Sequence, residues 1–257
     1  MSERVETVPR AGSATVVTGV RLPFAAMNAA GFAVTATELR ALARSHTGAV
    51  VLRTATTHPF VHPQFRALHN PGFDKLLPLV RELAGAGDRP VVASIAGATT
   101  DELVFLTKAF AEAGAAVIEV ELADPWVEST LAPFDDADSL VEIARRIAGA
   151  TARPCWVKLP ERPARSYAAI VAALAAGGVR GIVARNDFSG MEKLLLDVPA
   201  TIDVVALGGI DSGYDVARAL AKGARAVQVD ATLRSEGAGV FARLEREMAR
   251  AVRAGAP

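Results

Sequence analysis

Short runs of β-branched and aliphatic residues alternate with longer stretches of helical spacing from Ser13 to the C-terminal end, with no linker and no shift in composition between them. That alternation marks a repeated βα unit. The strand-like runs are Phe24 to Ala29, Gly48 to Arg53, Pro90 to Ile95, Ala116 to Glu121, Pro154 to Leu159, Gly181 to Ala184, Ile202 to Leu207 and Ala224 to Asp230, eight in all. Helical spacing covers Thr37 to Arg44, Lys75 to Ala84, Thr100 to Ala113, Ser139 to Ile147 and Tyr214 to Ala221. Two of these open on clusters suited to capping a helix N-terminus, Thr99-Thr100-Asp101-Glu102 and Asp211-Ser212. Tyr167 to Val179 is Ala-rich and stops at Gly177-Gly178, as suits a close-packed helix. Ahead of the repeat, ATVVTGVRL reads as a small hairpin turning at Thr18-Gly19.

Eight βα units in 257 residues fit a single-domain (β/α)8 TIM barrel with a short N-terminal β-hairpin better than an open doubly wound sheet. The barrel would span residues 14–257. Residues 1–13 carry charges and no apolar stretch, so they read as a mobile leader and not as a signal peptide.

Charge narrows the partners. Lys and Arg number 28 and so do Asp and Glu, a formal net charge of zero that argues against nucleic acid or an anionic membrane as partner. No charge-free run is long enough to span a bilayer. The single cysteine, Cys155, excludes an intramolecular disulfide and a Cys-cluster zinc site, which makes a reducing, cytoplasmic setting the expectation. On its strand Cys155 alternates away from Lys158, the position of a core residue. His58 and His62, spaced HPFVH, lack the helix that would aim both at one metal, and no metal site is expected.

In a barrel the chemistry sits at the C-terminal ends of the strands. Those ends read Asn28-Ala29-Ala30-Gly31, Arg53-Thr54, Ser94-Ile95-Ala96-Gly97, Glu121 to Pro125, Lys158, Asn186-Asp187, Gly208-Gly209 and Asp230-Ala231. Glu119 and Glu121 share one face of their strand, as do Trp156 and Lys158 of the next. Glu121 and Lys158 can therefore meet at the mouth, either as an ion pair or against a ligand. Gly208-Gly209, followed by Asp211-Ser212 at a helix start, has the form of a backbone cradle for an anion.

Six ordered segments resemble the dihydroorotate dehydrogenase family, especially its soluble class 1 members, from about Thr15 to Met248. LPFAAMNAAG (22–31) is similar to Asn-Pro-Phe-Met-Asn-Ala-Ser-Gly, VVLRTAT (50–56) to Val-Thr-Lys-Ser-Ala-Thr, and HNPGFDKLL (69–77) to Pro-Asn-x-Gly-Phe-Asp. IEVELADPW (118–126) is similar to Glu-Leu-Asn-x-Ser-Cys-Pro-Asn, and RPCWVKLP (153–160) to Lys-Pro-x-x-Val-Lys-Leu-Pro. The tail at 208–241 resembles Gly-Gly-Ile-x-x-Gly-x-Asp-Ala followed by Gly-Ala-x-x-x-Gln-x-Gly-Thr-Ala-Leu.

The resemblance implies an FMN-dependent oxidoreductase of pyrimidine metabolism, passing a hydride between a small cyclic or unsaturated substrate and the flavin. It places Ala30 and Gly31 along the isoalloxazine, Arg53 and Thr54 beside the cofactor, and Lys158 at the flavin's N1/O2 edge. Gly208, Gly209, Asp230 and Ala231 would surround the phosphate. Asn70 and Asn186 match substrate-holding asparagines, and Asp124 stands at the position of the catalytic base. A homodimer or a partner redox subunit is implied as well.

The departures from the family pattern fall on the chemistry. Arg53 replaces a lysine, and its fork is larger than a point charge. Glu121 and Trp126 replace two substrate asparagines, a loss that disfavours dihydroorotate itself. Asp230 replaces a glycine beside the phosphate, bringing a like charge and a Cβ to the cradle. Fewer residues separate the sixth and seventh strands than in the family, so a more open mouth is expected. The alternative reading is a flavin-free barrel, either a non-catalytic subunit or scaffold or a non-redox enzyme using Lys158 with Glu121 and Asp124.

Overall fold

The computed structural model describes residues 14–31, 33, 35–59, 61, 71–87, 89–122, 136–161, 165–186 and 191–255. The leader at 1–13, Asn70, Asp124, Trp126 and His62 lie outside the described residues.

All eight strand-like runs form strands, and they join in one parallel sheet: β3 (Ala26–Asn28), β4 (Val50–Val51), β5 (Val91–Ile95), β6 (Val117–Glu121), β7 (Cys155–Lys158), β8 (Gly181–Arg185), β9 (Asp203–Leu207) and β10 (Ala226–Val229). The order β3-β10-β9-β8-β7-β6-β5-β4 is the sequential order of a barrel, with β3 and β4 as the last pair to meet. A side chain completes that seam. Asn28 accepts from the Val51 N–H at 2.9 Å and donates to the Val51 carbonyl at 2.6 Å, while Gly48 N–H reaches Ala26 O at 2.7 Å. The Asn28 amide thus stands in for a backbone unit where the ladder is interrupted. The fold is a TIM barrel.

Helices follow the strands at the expected places, and caps set their starts. Thr35 with Glu38, Thr99 with Glu102 and Ser212 with Asp215 each form a reciprocal capping box, opening the helices Ala36–Ala43, Thr100–Glu112 and Gly213–Ala221. Helix Tyr167–Ala176 ends at Gly177, where a Cβ would stand 2.4 Å from that of Ala144, so the glycine permits close packing on helix Ala137–Gly149.

Two apolar layers result. The larger lies between sheet and helices, with Phe110, Phe241, Leu103, Leu106 and Ile147 fully buried. The smaller fills the barrel, where Met27, Val51, Val92, Val117, Trp156, Val183 and Val205 pack with Val17 and Leu22. Those last two come from the hairpin β1 (Thr15–Val17) and β2 (Val20–Leu22), which turns at Thr18-Gly19 with φ of 49° and 84°. The hairpin therefore plugs the barrel from its N-terminal end. Trp156 Nε1 donates to Thr18 Oγ at 2.8 Å, and Asp203 accepts from the Thr18 N–H at 2.6 Å and from Arg225 at 3.2 Å. With that end closed by apolar packing, polar chemistry is left to the other end.

Candidate active site at the barrel mouth

Strand alternation decides which side chains enter the barrel. Val117 and Trp156 point inward, so Glu119 and Glu121 on β6 and Lys158 on β7 do too; Val183 and Ala226 give Arg185 and Gln228 the same direction on β8 and β10. Polar groups therefore stack in two levels above the apolar plug.

In the lower level Glu119 is fully buried, and its Oε2 accepts from Gln228 Nε2 at 2.5 Å. The other oxygens of this pair, Glu119 Oε1 and Gln228 Oε1, are buried without a hydrogen-bond partner among the described residues. Burial pushes the Glu119 carboxyl up to about 7; the neighbouring Glu121 adds to the rise, while Lys158 and the Gln228 hydrogen bond oppose it.

In the upper level Glu121 and Lys158 are register partners on neighbouring strands, with Nζ 2.5 Å from Oε2. The Lys158 side chain is 19% exposed and that of Glu121 8%. Burial by itself would lower the lysine's pKa, but the carboxylates of Glu121 and Glu119 outweigh it and hold the ammonium above its ordinary value. The sequence-predicted meeting of these two residues takes the form of an ion pair.

Across the mouth, Arg185 joins this level to the β9 and β10 ends. Its charge is felt at Lys158, its Nε lies 3.2 Å from Glu161, and its Nη2 reaches within 3.6 Å of the point where a Cβ on Gly208 would sit. Neither Arg185 nor Gln228 was singled out from the sequence, although the alternation on β8 and β10 carries the signal for both. Arg53 is half-buried at the end of β4, where burial lowers its pKa, and the neighbouring Thr54 hydroxyl meets Ser94 Oγ at 2.9 Å. Ala30 and Gly31 stand past β3, with Gly31 at φ 82° and no atom of the described residues within 4 Å of where its Cβ would be. Asn186 is partly exposed past β8, its N–H donating to Leu207 O at 2.7 Å.

The β9 and β10 ends hold Gly208, Gly209, Asp230 and Ala231, with Gly208 and Gly209 at φ 78° and 65°. The backbone has the shape of a cradle, and two of its N–H groups are already engaged. Gly208 N–H donates to Gln228 O at 3.0 Å, and Ala231 N–H to the Asp230 side chain at 2.7 Å. The Thr232 hydroxyl turns to Asp211 Oδ1 and Ile210 O at 2.6 and 3.0 Å. Tested against FMN, the space at Gly31 among the described residues and the ammonium of Lys158 suit a planar ring, whereas a terminal phosphate does not fit the cradle while Asp230 occupies it.

Among the described residues no group of His, Cys, Asp or Glu could hold a metal ion, and no helix is long and apolar enough to cross a membrane. Cys155 is buried, with its thiol pushed up to about 12 by burial, which accords with a packing role.

No family model matches the chain. Among curated proteins it is 25% identical to the dihydroorotate dehydrogenase B (NAD(+)) catalytic subunit of Geobacillus kaustophilus, over 71% of this chain and 72% of that one. It is 26% identical to the dihydroorotate dehydrogenase (fumarate) of Trypanosoma cruzi, over 86% and 87%. Among solved structures, ligand-free DHODH from Eimeria tenella superposes with a TM-score of 0.82 at 15% identity, covering 99% of this chain and 91% of that one, a likeness of fold.

Proposed function

We propose that this chain, a divergent relative of the dihydroorotate dehydrogenases, is an oxidoreductase that passes a hydride between a small cyclic or unsaturated substrate and a flavin at the barrel mouth, the substrate being other than dihydroorotate. The observation that carries the reading is the Lys158–Glu121 pair, set on adjacent strands at the C-terminal end of the barrel. A bound flavin would supply the hydride acceptor. Lys158 offers a fixed positive charge against which negative charge on a bound ring is stabilised, and its position on a strand spares any rearrangement. Glu121 adds an acceptor that an asparagine lacks in charged form, so the ligand edge facing it presents N–H or O–H donors. Glu121 and Trp126 stand where the family pattern has substrate-holding amides, and that replacement is the reason to expect a substrate other than dihydroorotate.

Asp124, in the segment after β6, is proposed as the base that takes the substrate proton, with Asn70, Asn186 and Trp126 contributing to the substrate's surroundings. Arg53 and Thr54 are proposed beside the cofactor, with Ala30 and Gly31 against its ring. The alternative in which Lys158 forms a Schiff base is disfavoured by the ion pair, because a protonated amine has no lone pair to attack a carbonyl.

The test is the visible absorption spectrum of the purified full chain, before and after added flavin and again after denaturation. Stoichiometric flavin absorption supports the reading, and reduced candidate substrates are then screened by bleaching. A chain that binds no flavin of any form would refute it. Orotate formation at a robust rate with any of several electron acceptors would refute the substrate assignment alone.

A further inference from the structure

The last two strands of a TIM barrel commonly end in a phosphate site made of backbone N–H groups and the start of a short extra helix. This chain has every geometric part of such a site: Gly208-Gly209 after β9, and the six-residue helix Ala231–Glu236 after β10, ahead of the longer helix Val240–Arg253. What sets it apart is that the protein's own carboxylate has entered the cradle and taken one of its donors. Asp230 Oδ1 takes the Ala231 N–H at 2.7 Å, and its Oδ2 lies 2.9 Å from the point where a Cβ on Gly208 would be, so the carboxylate spans the two strand ends.

We propose that Asp230 stands in the place of a ligand's phosphate, so that the mouth takes a flavin with an uncharged tail, riboflavin, in preference to FMN. Two effects act in the same direction. A phosphate reaching Gly208 would have to displace Asp230 from the Ala231 N–H, and the displaced carboxylate would remain within a few ångströms of a dianion. The Arg185 guanidinium near Gly208 is a cation that could offset this, but it is already shared with Glu161. A ribityl hydroxyl meets no such repulsion, and its O–H can donate to Asp230 Oδ2.

The inference rests on the flavin reading above, and the experiment separates the two. Riboflavin and FMN are titrated into the purified full chain, stripped of any bound flavin, and binding is followed by flavin fluorescence; the same is done with Asp230→Gly and with Asp230→Asn. The second variant keeps the side chain's shape and its acceptor for the Ala231 N–H, so it serves if the glycine variant fails to fold. Riboflavin should bind the natural chain at least as tightly as FMN. Each variant should shift the preference toward FMN by about tenfold or more, with riboflavin affinity no higher than that of the natural chain. FMN binding the natural chain tenfold tighter than riboflavin, or variants that leave the ratio where it was, would overturn the inference and leave the flavin reading standing. Failure of both flavins to bind the natural chain and both variants would overturn the flavin reading, and this inference with it.

Discussion

Glu121 and Lys158 face each other across one rung of the β6–β7 ladder, joined at 2.5 Å and largely withdrawn from water. Each makes the other tolerable there, and removing one partner leaves a poorly solvated charge. Glu121→Gln or Lys158→Met alone should each cost about 2–4 kcal/mol of stability, and the double variant Glu121→Gln/Lys158→Met should cost clearly less than the sum. Urea unfolding of the four proteins measures this; additive losses would show that the pair is not coupled. The raised Lys158 pKa also fixes a sign. Its contribution is fully present below the ordinary lysine value and is lost as pH rises through the folded value above it, so the stabilisation that comes from the lysine should fade in alkali.

The Asn28 amide holds the seam between β3 and β4 through both polar groups of Val51. Asn28→Ala would leave a buried N–H and a buried carbonyl without that partner, a loss of about 2–4 kcal/mol. Asn28→Asp should be worse at neutral pH, since a buried carboxylate then faces the Val51 carbonyl, and should recover on acidification, when the protonated acid can donate. Thermal unfolding at pH 5 and pH 8 checks the order. Equal loss for the two variants at both values would argue that the seam is held by other contacts.

Much of this architecture was legible in the residues because two periodicities govern it. Alternation of two along β6 and β7 put Glu121 and Lys158 on the same side, and consecutive barrel strands are neighbours, so their meeting needed no further information. The hairpin was legible from Thr18-Gly19, since its turn demands positive φ at both positions. Other features depend on distances along the chain that no local pattern encodes. Gln228 meets Glu119 across 109 residues, and that partnership exists only once the barrel has closed with its particular stagger. Asn28 was visible as a strand-end polar residue, but its bond to Val51 arises because the ladder is interrupted there. Asp230 was recognisable as a charge beside the cradle; that it would take the Ala231 N–H follows from its own backbone angles of φ −112° and ψ −93°, which the sequence does not announce.

Gly181 sits where a Cβ would stand 2.2 Å from Trp156 Cδ1, inside the barrel plug. Gly181→Ala therefore forces the indole to move, and with it the hydrogen bond to Thr18 that ties the hairpin in place. The expected loss is about 1–3 kcal/mol. Tryptophan fluorescence in a Trp126→Phe background should shift to the red as Trp156 loses its packing. An unchanged spectrum and melting temperature would mean that the plug adapts without cost.

Glu119 gives the barrel interior its own pH dependence. Its carboxyl is pushed up to about 7 by burial, against a usual value near 4.3, so the folded chain binds a proton there that the unfolded chain has already released in between. Stability from this residue is therefore unimpaired below about pH 4.3, falls as pH rises toward 7, and levels off above it. The span corresponds to at most about 4 kcal/mol. Glu119→Gln removes the titration while keeping the shape, and its new amide can donate to Gln228 Oε1, the buried acceptor that lacks a partner among the described residues. The variant should be more stable than the natural chain at pH 8, with the difference narrowing as pH falls toward 5. Denaturant unfolding at both pH values decides the matter, and a variant less stable at pH 8 would show that the ionised carboxylate is the form the barrel holds best.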